Sequence, residues 1–167
     1  MPGRQCAISH PSAMSTERTA DLLHSIRPMM NADLQQVCAI ESACSASPWS
    51  RKQFELSLSD SKVIELDNHV VGFGILSSML DQAELHNIAV HPDSQGMGLG
   101  AAILDYLLDH LAEQVRSIYL EVRLSNFRAI RLYQERGFAQ VGERRDYYKT
   151  ELGREDALLM CRQITTD

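Results

Sequence analysis

Three glycines at alternate positions, Gly96, Gly98 and Gly100, constrain this chain most. They lie between a segment typical of a buried strand, 83–90, and a segment typical of a helix, 98–113, whose apolar residues recur on one face. Glycines this close together let the backbone turn tightly and approach a ligand. The start of the helix adds unpaired N–H groups and the positive end of a dipole. The sequence therefore predicts a main-chain seat for a diphosphate.

Two familiar phosphate-binding loops do not fit this turn. No Gly-Lys-Ser or Gly-Lys-Thr follows it, as a Walker A loop requires. The G-x-G-x-G spacing lacks the third glycine position of a dinucleotide-binding fingerprint, and no acidic partner for a ribose is evident. From spacing alone, a glycine-rich turn that binds nothing stays open as the alternative.

The remaining patterns predict an α/β fold with a mixed sheet of about seven strands. Strands are expected at 26–29, 62–66, 70–77, 83–90, 117–123, 139–148 and 157–164. Asn31 is expected to cap a first helix, and Pro48 to occupy the first position of a second. Two further helices are expected at 98–113 and 126–135, the last one ended by Gly137.

Length and composition favour one cytoplasmic domain. A chain of 167 residues with 44% apolar residues builds one substantial core. No apolar stretch approaches the roughly 18 residues that span a bilayer, and no signal-peptide core is present. Residues 1–24 lack periodicity and are predicted to be a polar, flexible extension ahead of a domain at 25–167. We expect no membrane association and a monomer.

Charge and cysteine spacing exclude further classes. A net charge of −6 disfavours nucleic-acid binding and suits a basic peptide substrate. The cysteines have no C-x-x-C spacing and the histidines no H-x-x-x-H spacing, so we expect no metal site. We interpret all four cysteines as free thiols: Cys6, Cys38, Cys44 and Cys161.

Two motifs resemble those of the GNAT acetyltransferase superfamily. Ile88-Ala89-Val90-His91-Pro92-Asp93, followed by Gln95-x-x-Gly98-x-Gly100, is similar to its coenzyme-binding motif. The superfamily's next motif resembles Leu120-Glu121-Val122-Arg123, Ser125-Asn126, Ala129-Ile130 and Leu132-Tyr133-x-x-x-Gly137-Phe138. The resemblance covers residues 25–164. It implies the GNAT fold, with a sheet splayed beside 83–90 to bind acetyl-CoA, and an acetyl-CoA-dependent N-acetyltransferase without a metal.

The resemblance also implies which residues contact the coenzyme. The strand backbone would bind the pantetheine arm, the glycine turn the diphosphate, and an N–H group, that of Val90, the thioester oxygen. Gly96 stands where the family often has a basic residue. The implied coenzyme-binding residues are Ile88, Ala89, Val90, Gln95, Gly96, Met97, Gly98, Leu99, Gly100, Ala101 and Asn126.

Five stretches resemble the RimI family, which acetylates the N-terminal alanine of a small-subunit ribosomal protein. They are 47–50, 87–90, 120–123, 144–148 and 154–157. The resemblance implies a protein N-terminus as the partner, with Glu121 as general base and Tyr133 as general acid. Strand alternation places Glu121 opposite the apolar face of 118–122. For each residue alone, a solvent-facing glutamate and a packing tyrosine are the alternatives.

Five side chains are candidates for a peptide groove: Trp49, Tyr147, Tyr148, Glu155 and Asp156. Core packing is the alternative for Trp49, and a solvated loop is the alternative for Glu155 and Asp156. At pH 7 about a tenth of α-amino groups are neutral, against a few in ten thousand lysines, which favours an N-terminal acceptor. A GNAT enzyme for lysine or a small amine, and an acyl-CoA-binding module without chemistry, stay as alternatives.

Overall fold

One mixed sheet of seven strands organises the chain. The structure, a computed structural model, describes residues 23–165. The strands are β1 (His24–Pro28), β2 (Ser61–Leu66), β3 (His69–Met79), β4 (Gln82–Val90), β5 (Ser117–Arg123), β6 (Ala139–Thr150) and β7 (Gly153–Gln163). The helices are α1 (Leu34–Cys44), α2 (Arg51–Leu56), α3 (Leu99–Asp109) and α4 (Phe127–Gln134). The predicted order of strands and helices is confirmed.

The strands lie in the order β1-β2-β3-β4-β5-β7-β6. All neighbours are antiparallel except β4 and β5, which are joined by the crossover helix α3. The first strand begins at His24, one residue before the predicted domain boundary. Of the predicted N-terminal extension, residues 1–22 lie outside the described residues, as does Cys6.

Three predicted helix boundaries are wrong. Asn31 does not cap α1: it opens a 3-10 turn, and the Asp33 carboxylate accepts the Met30 N–H at 2.8 Å. Pro48 precedes α2, which Ser50 caps by accepting from the Gln53 N–H. The third predicted helix ends at Asp109 rather than at residue 113. Each error lies at a helix terminus. There, local hydrogen bonds determine where the helix begins or ends, and apolar periodicity does not indicate the boundary.

Each face of the sheet packs against its own pair of helices. On one face, Ile118, Leu120 and Val122 of β5 belong to the cluster that contains α3 residues and Tyr133 of α4. On the other, Phe73 and Ile75 of β3 meet α1 and α2 residues in a second cluster. The alternation predicted for 117–123 is confirmed, so Glu121 faces away from the α3–α4 cluster.

The sheet opens between β4 and β5. These two strands pair only from Gln82 to Leu85 on β4, which leaves the second half of β4 unpaired on that side. The register between β3 and β4 shifts at the same point: Asn87 faces Ile75 and Leu85 faces Leu76, so His86 is the extra residue of a bulge. Because a bulge bends its strand, it turns β4 away from β5 and creates the predicted splay.

Two glycines of β3 set the distance between the sheet and α3. A Cβ atom at Gly74 would lie 2.6 Å from Ile103 Cγ2, and one at Gly72 would lie 3.2 Å from Ile103 Cδ1. Glycine at both positions lets α3 approach β3 this closely. Within residues 23–165, no helix has the length and apolar character needed to cross a bilayer.

Candidate functional site

The glycine turn forms an anion seat at the start of α3. Gly96 and Gly98 have φ of +82° and +79°, a left-handed conformation that favours glycine. Gly98 is the N-cap, and its carbonyl accepts the first helical hydrogen bond, from the Ala102 N–H at 3.0 Å. The N–H groups of residues 99–101 therefore have no partner within the helix. They converge with the positive end of the helix dipole, as a diphosphate requires.

The splayed half of β4 presents main-chain groups to the gap. The His91 N–H donates to the Val71 carbonyl at 2.8 Å across the Val90–Gly72 pair, which makes that pair a non-hydrogen-bonded one. By alternation, Val90 and Ile88 direct their N–H groups away from β3 and into the gap, whereas Ala89 pairs with Phe73. The gap therefore holds free backbone donors for an extended ligand.

The seat and the strand edge line one cleft of about 470 Å³. Tyr133 and Asn126 of the α4 region form its opposite wall. Of the predicted coenzyme-binding residues, Met97 alone does not line the cleft; its side chain is on the surface. The other ten do line it: Ile88, Ala89, Val90, Gln95, Gly96, Gly98, Leu99, Gly100, Ala101 and Asn126.

Tyr133 is the buried tyrosine of this cleft. The residue is 5% exposed and its ring packs edge-on against Phe138, with the centroids 5.9 Å apart. Burial, with a smaller contribution from Tyr148, raises the pKa of the Tyr133 hydroxyl well above its usual value. The phenol therefore stays protonated and able to donate. Asn126 caps α4, because its side chain accepts from the Ala129 N–H at 3.2 Å.

Five polar residues that line the cleft were not predicted from the sequence: Cys44, Ser94, Arg128, Arg131 and Glu135. Arg131 pairs with Glu135 at 3.0 Å, and the Cys44 thiol donates to the Val90 carbonyl, which also accepts from Gln95 Nε2. Arg128 has no hydrogen-bond or ion-pair partner among residues 23–165. Positions 128, 131 and 135 share a face at helical spacing, and this signal was available in the sequence.

Glu121 lies on the other face of β5, within a cluster of polar and aromatic side chains. Its Oε1 is 3.2 Å from Arg144 Nε. The Arg144 guanidinium lies over the Tyr147 ring, 5.2 Å from its centroid. The Glu121 charge and burial raise the pKa of Tyr147, and burial and the same charge raise the pKa of Tyr148. The predicted base thus meets the predicted groove tyrosines.

Glu155 joins this cluster to the start of α4. It is a strand residue of β7, not part of a solvated loop, and its carboxylate accepts from the Ser125 N–H at 2.6 Å. Its other oxygen is 3.5 Å from Arg123, which lies over the Tyr148 ring at 4.2 Å. The Ser125 hydrogen bonds lower the pKa of Glu155. Glu155 therefore has a structural task whether or not it contacts a substrate.

Trp49 lies apart from that cluster, in the segment before α2. Its ring is 5.4 Å from that of Phe54 and packs against the second core cluster. The buried Glu41 carboxylate accepts from the main-chain N–H of Trp49 at 3.1 Å and from the side-chain amide of Asn87 at 3.2 Å. Much of the Trp49 surface thus serves packing, and Glu41 ties this segment to β4.

Comparison with known proteins identifies the family. The model of the acetyltransferase (GNAT) family matches residues 31–138. The chain belongs to the GNAT acetyltransferase family. It is 39% identical over 147 residues, 86% of this chain and 99% of the relative, to the [ribosomal protein bS18]-alanine N-acetyltransferase of Escherichia coli K12. It is 40% identical over 136 residues, 77% and 91%, to that of Haemophilus influenzae.

The fold agrees with this assignment. The crystal structure of the ribosomal-protein-S18-alanine N-acetyltransferase from Escherichia coli superposes with a TM-score of 0.81 at 38% identity, covering 87% of this chain and 96% of that one. The chain is therefore an N-acetyltransferase with a GNAT fold, and acetyl-CoA is its acetyl donor. The space beside Gly96 and Gly98 is open, because a Cβ atom built at either glycine would meet nothing within 4 Å. This open space suits the donor, since its diphosphate can approach the main chain there.

Proposed function

We propose that this GNAT enzyme acetylates the N-terminal α-amino group of a protein, namely the N-terminal alanine of a small-subunit ribosomal protein. The identity to the bS18-alanine N-acetyltransferases, 39% over 86% of the chain, carries this proposal. Such a substrate places the reaction in the cytoplasm. The acidic net charge of −6 is complementary to a basic peptide.

We assign the proton transfers to Glu121 and Tyr133. The amine nitrogen attacks the acetyl carbon, the carbon–nitrogen bond forms and the carbon–sulfur bond breaks. Glu121 accepts the proton that the amine loses, directly or through a water. Tyr133 gives its proton to the departing thiolate. The raised pKa of Tyr133 keeps the phenol protonated before the reaction, so that a hydrogen-bond donor is in place as negative charge develops on the sulfur.

Donor and acceptor enter from opposite faces of the sheet in this scheme. Tyr133 belongs to the α3–α4 side and Glu121 faces the α1–α2 side. The β4–β5 gap connects the two faces, because pairing stops at Leu85 and Leu120. We assign binding of the thioester oxygen to the Val90 N–H, because it is directed into this gap. We assign the peptide groove to the Glu121 face, with Tyr147 and Tyr148 as its walls.

Matched peptides test the proposal. The first is a basic peptide with a free N-terminal alanine and no lysine; the second has a blocked N-terminus and one internal lysine. With acetyl-CoA, we expect acetylation of the first alone. Equal rates on the two peptides would instead support a lysine acceptor. No turnover on either peptide, together with tight coenzyme binding, would support a small-amine substrate or a non-catalytic module.

Mass spectrometry of a cell extract identifies the natural acceptor. The extract comes from cells that lack this protein and is incubated with the protein and acetyl-CoA. We expect one new acetyl group, on the N-terminal alanine of a small-subunit ribosomal protein. New acetyl groups confined to lysine side chains would contradict the proposal.

A further inference from the structure

The β6–β7 hairpin contains a large bulge beside Glu121. Arg144 pairs with Ala157 and Tyr148 pairs with Glu155, so the three residues 145–147 face Asp156 alone. A regular ladder would place one residue there. The two extra residues bring Tyr148 opposite Glu155, where a regular register would place it opposite Gly153, about 7 Å further along the strand. The bulge therefore sets which side chains meet the site.

The bulge also changes the direction of Tyr147. In a regular strand, Tyr147 and Tyr148 point to opposite faces of the sheet. Here their rings are in edge-on contact, with the centroids 5.0 Å apart. Arg144 lies over the Tyr147 ring at 5.2 Å and also pairs with Glu121. Tyr147 thus joins Tyr148 on the Glu121 face only because the strand is bulged, which is a known use of bulges next to active sites.

Two side chains of β7 hold the centre of the bulge. Asp146 has a φ of +52°, a left-handed conformation that costs energy for a residue other than glycine. Its N–H donates to Asp156 Oδ1 at 2.9 Å, and its carbonyl accepts from Arg154 at 3.0 Å. Because hydrogen bonds hold both the N–H and the carbonyl of Asp146, this residue keeps its left-handed conformation and does not adopt that of a regular strand.

We propose that Asp156 is a positioning residue whose carboxylate holds the 145–147 bulge in the shape that places Tyr147 beside Arg144 and Glu121. This inference rests on the proposed function of the Glu121 face as the acceptor groove. Asp156 acts through the Asp146 main chain and does not touch the reacting atoms. Arg154 holds the same residue from its carbonyl side.

Kinetics of an alanine variant test the role. Asp156→Ala removes the acceptor of the Asp146 N–H, and we expect the KM for the Ala-initiated peptide to rise about tenfold, the scale of one lost hydrogen bond. The Kd for CoA should stay within about twofold, because the coenzyme cleft is lined by other residues. Asp156→Asn keeps a carbonyl oxygen at this position and should restore most of the peptide KM.

Further variants make the outcome decisive. Asp109→Ala, which removes an exposed carboxylate at the end of α3, controls for net charge. Arg154→Ala acts on the exposed side of the bulge and should raise the peptide KM about threefold, which keeps the test available if Asp156→Ala fails to fold. An Asp156→Ala enzyme with unchanged peptide KM, or with peptide KM and CoA Kd raised equally, would overturn the role.

The two proposals fail in different ways. If the proposed function is wrong, the wild-type enzyme shows no turnover on the Ala-initiated peptide, or no preference for it over the blocked lysine peptide. If the wild-type enzyme turns the peptide over and Asp156→Ala leaves its KM unchanged, only the positioning role is wrong.

Discussion

The proposed donor and acceptor sides of the site are built from different chemical groups. On the donor side, the seat at 96–101 and the edge of β4 offer main-chain groups, and α4 closes the cleft. On the acceptor side, side chains from β5, β6 and β7 surround Glu121. The donor side depends on local backbone conformation, whereas the acceptor side depends on the register of strands distant in sequence. The two sides should therefore respond to different substitutions.

Tyr133→Phe should give the largest effect. The variant keeps the ring packed against Phe138 and removes only the hydroxyl. Loss of a general acid lowers kcat by about 10²- to 10⁴-fold, with the Kd for CoA unchanged. Calorimetry with CoA and steady-state kinetics check both halves of this statement. A kcat within a factor of about three of wild type would refute the acid role and remove Tyr133 from the donor side.

Glu121→Gln should have a smaller effect on kcat, about 10²-fold at pH 7. A tenth of the α-amino groups are already neutral there, so part of the reaction proceeds without the base. The deficit should shrink as the pH of the assay rises toward about 9. A pH-independent deficit would show that Glu121 binds or orients the peptide instead of accepting its proton.

Gly98→Val tests the main-chain seat. Valine at a φ of +79° is strained by about 1–2 kcal/mol, so the turn changes shape or carries that cost. We expect the Kd for CoA to rise roughly 5- to 30-fold while the peptide KM stays constant. Gly142→Ala, a strand glycine with its nearest neighbour at 3.8 Å, is the control. An unchanged Kd in Gly98→Val would mean that the diphosphate binds elsewhere.

Arg128→Ala tests the one unpaired cation that lines the described cleft. The segment 91–101 contains no lysine or arginine, so α4 supplies the positive side chains near the seat. Because Arg128 is exposed, its loss should weaken CoA binding only about two- to fivefold and flatten the salt dependence of the Kd. Arg128→Lys is the matched control. Equal salt dependence in the alanine variant would contradict this contribution.

The pH profile should show the smallest effect. The pKa of Tyr133 is raised, so the phenol keeps its proton through the range where ordinary tyrosines ionise, near pH 10. The acid form is lost only above that raised pKa. We therefore expect kcat to change less than about twofold between pH 8.5 and 10. A steep alkaline loss in the wild-type enzyme that is absent in Tyr133→Phe would contradict this.

Local patterns were sufficient to predict the backbone structure of the proposed donor side. Alternation fixed β5 from Ser117 to Arg123, and the glycine spacing fixed the seat before α3. The motifs identified the family because main-chain sites need particular backbone conformations, which only certain residues allow. Met97 lies inside the motif with its side chain on the surface, so its predicted contact with the coenzyme rests on its main chain.

For the proposed acceptor side, the sequence predicted candidate residues but not the contacts between them. Tyr147 and Glu155 were candidates, yet their contacts with Arg144, Arg123 and Ser125 depend on a register shift in the β6–β7 pair. Position 146 is an aspartate, so the residue type gives no signal, as a glycine would, of the left-handed conformation that it adopts. The hydrogen bond that holds it comes from Asp156, ten residues further along, and strand periodicity contains no trace of such a pairing.

The position of the bulged hairpin has an evolutionary consequence. β6 is the edge strand of the sheet. The segment from Arg144 to Glu155 therefore lies at the edge of the sheet, away from β3 and β4. Under the proposed function, insertions and deletions in this segment would alter which protein N-termini are accepted and leave acetyl-CoA binding unchanged. Related enzymes could thus change their acceptor substrates through changes within these dozen residues, while the coenzyme cleft, which other segments line, stays the same.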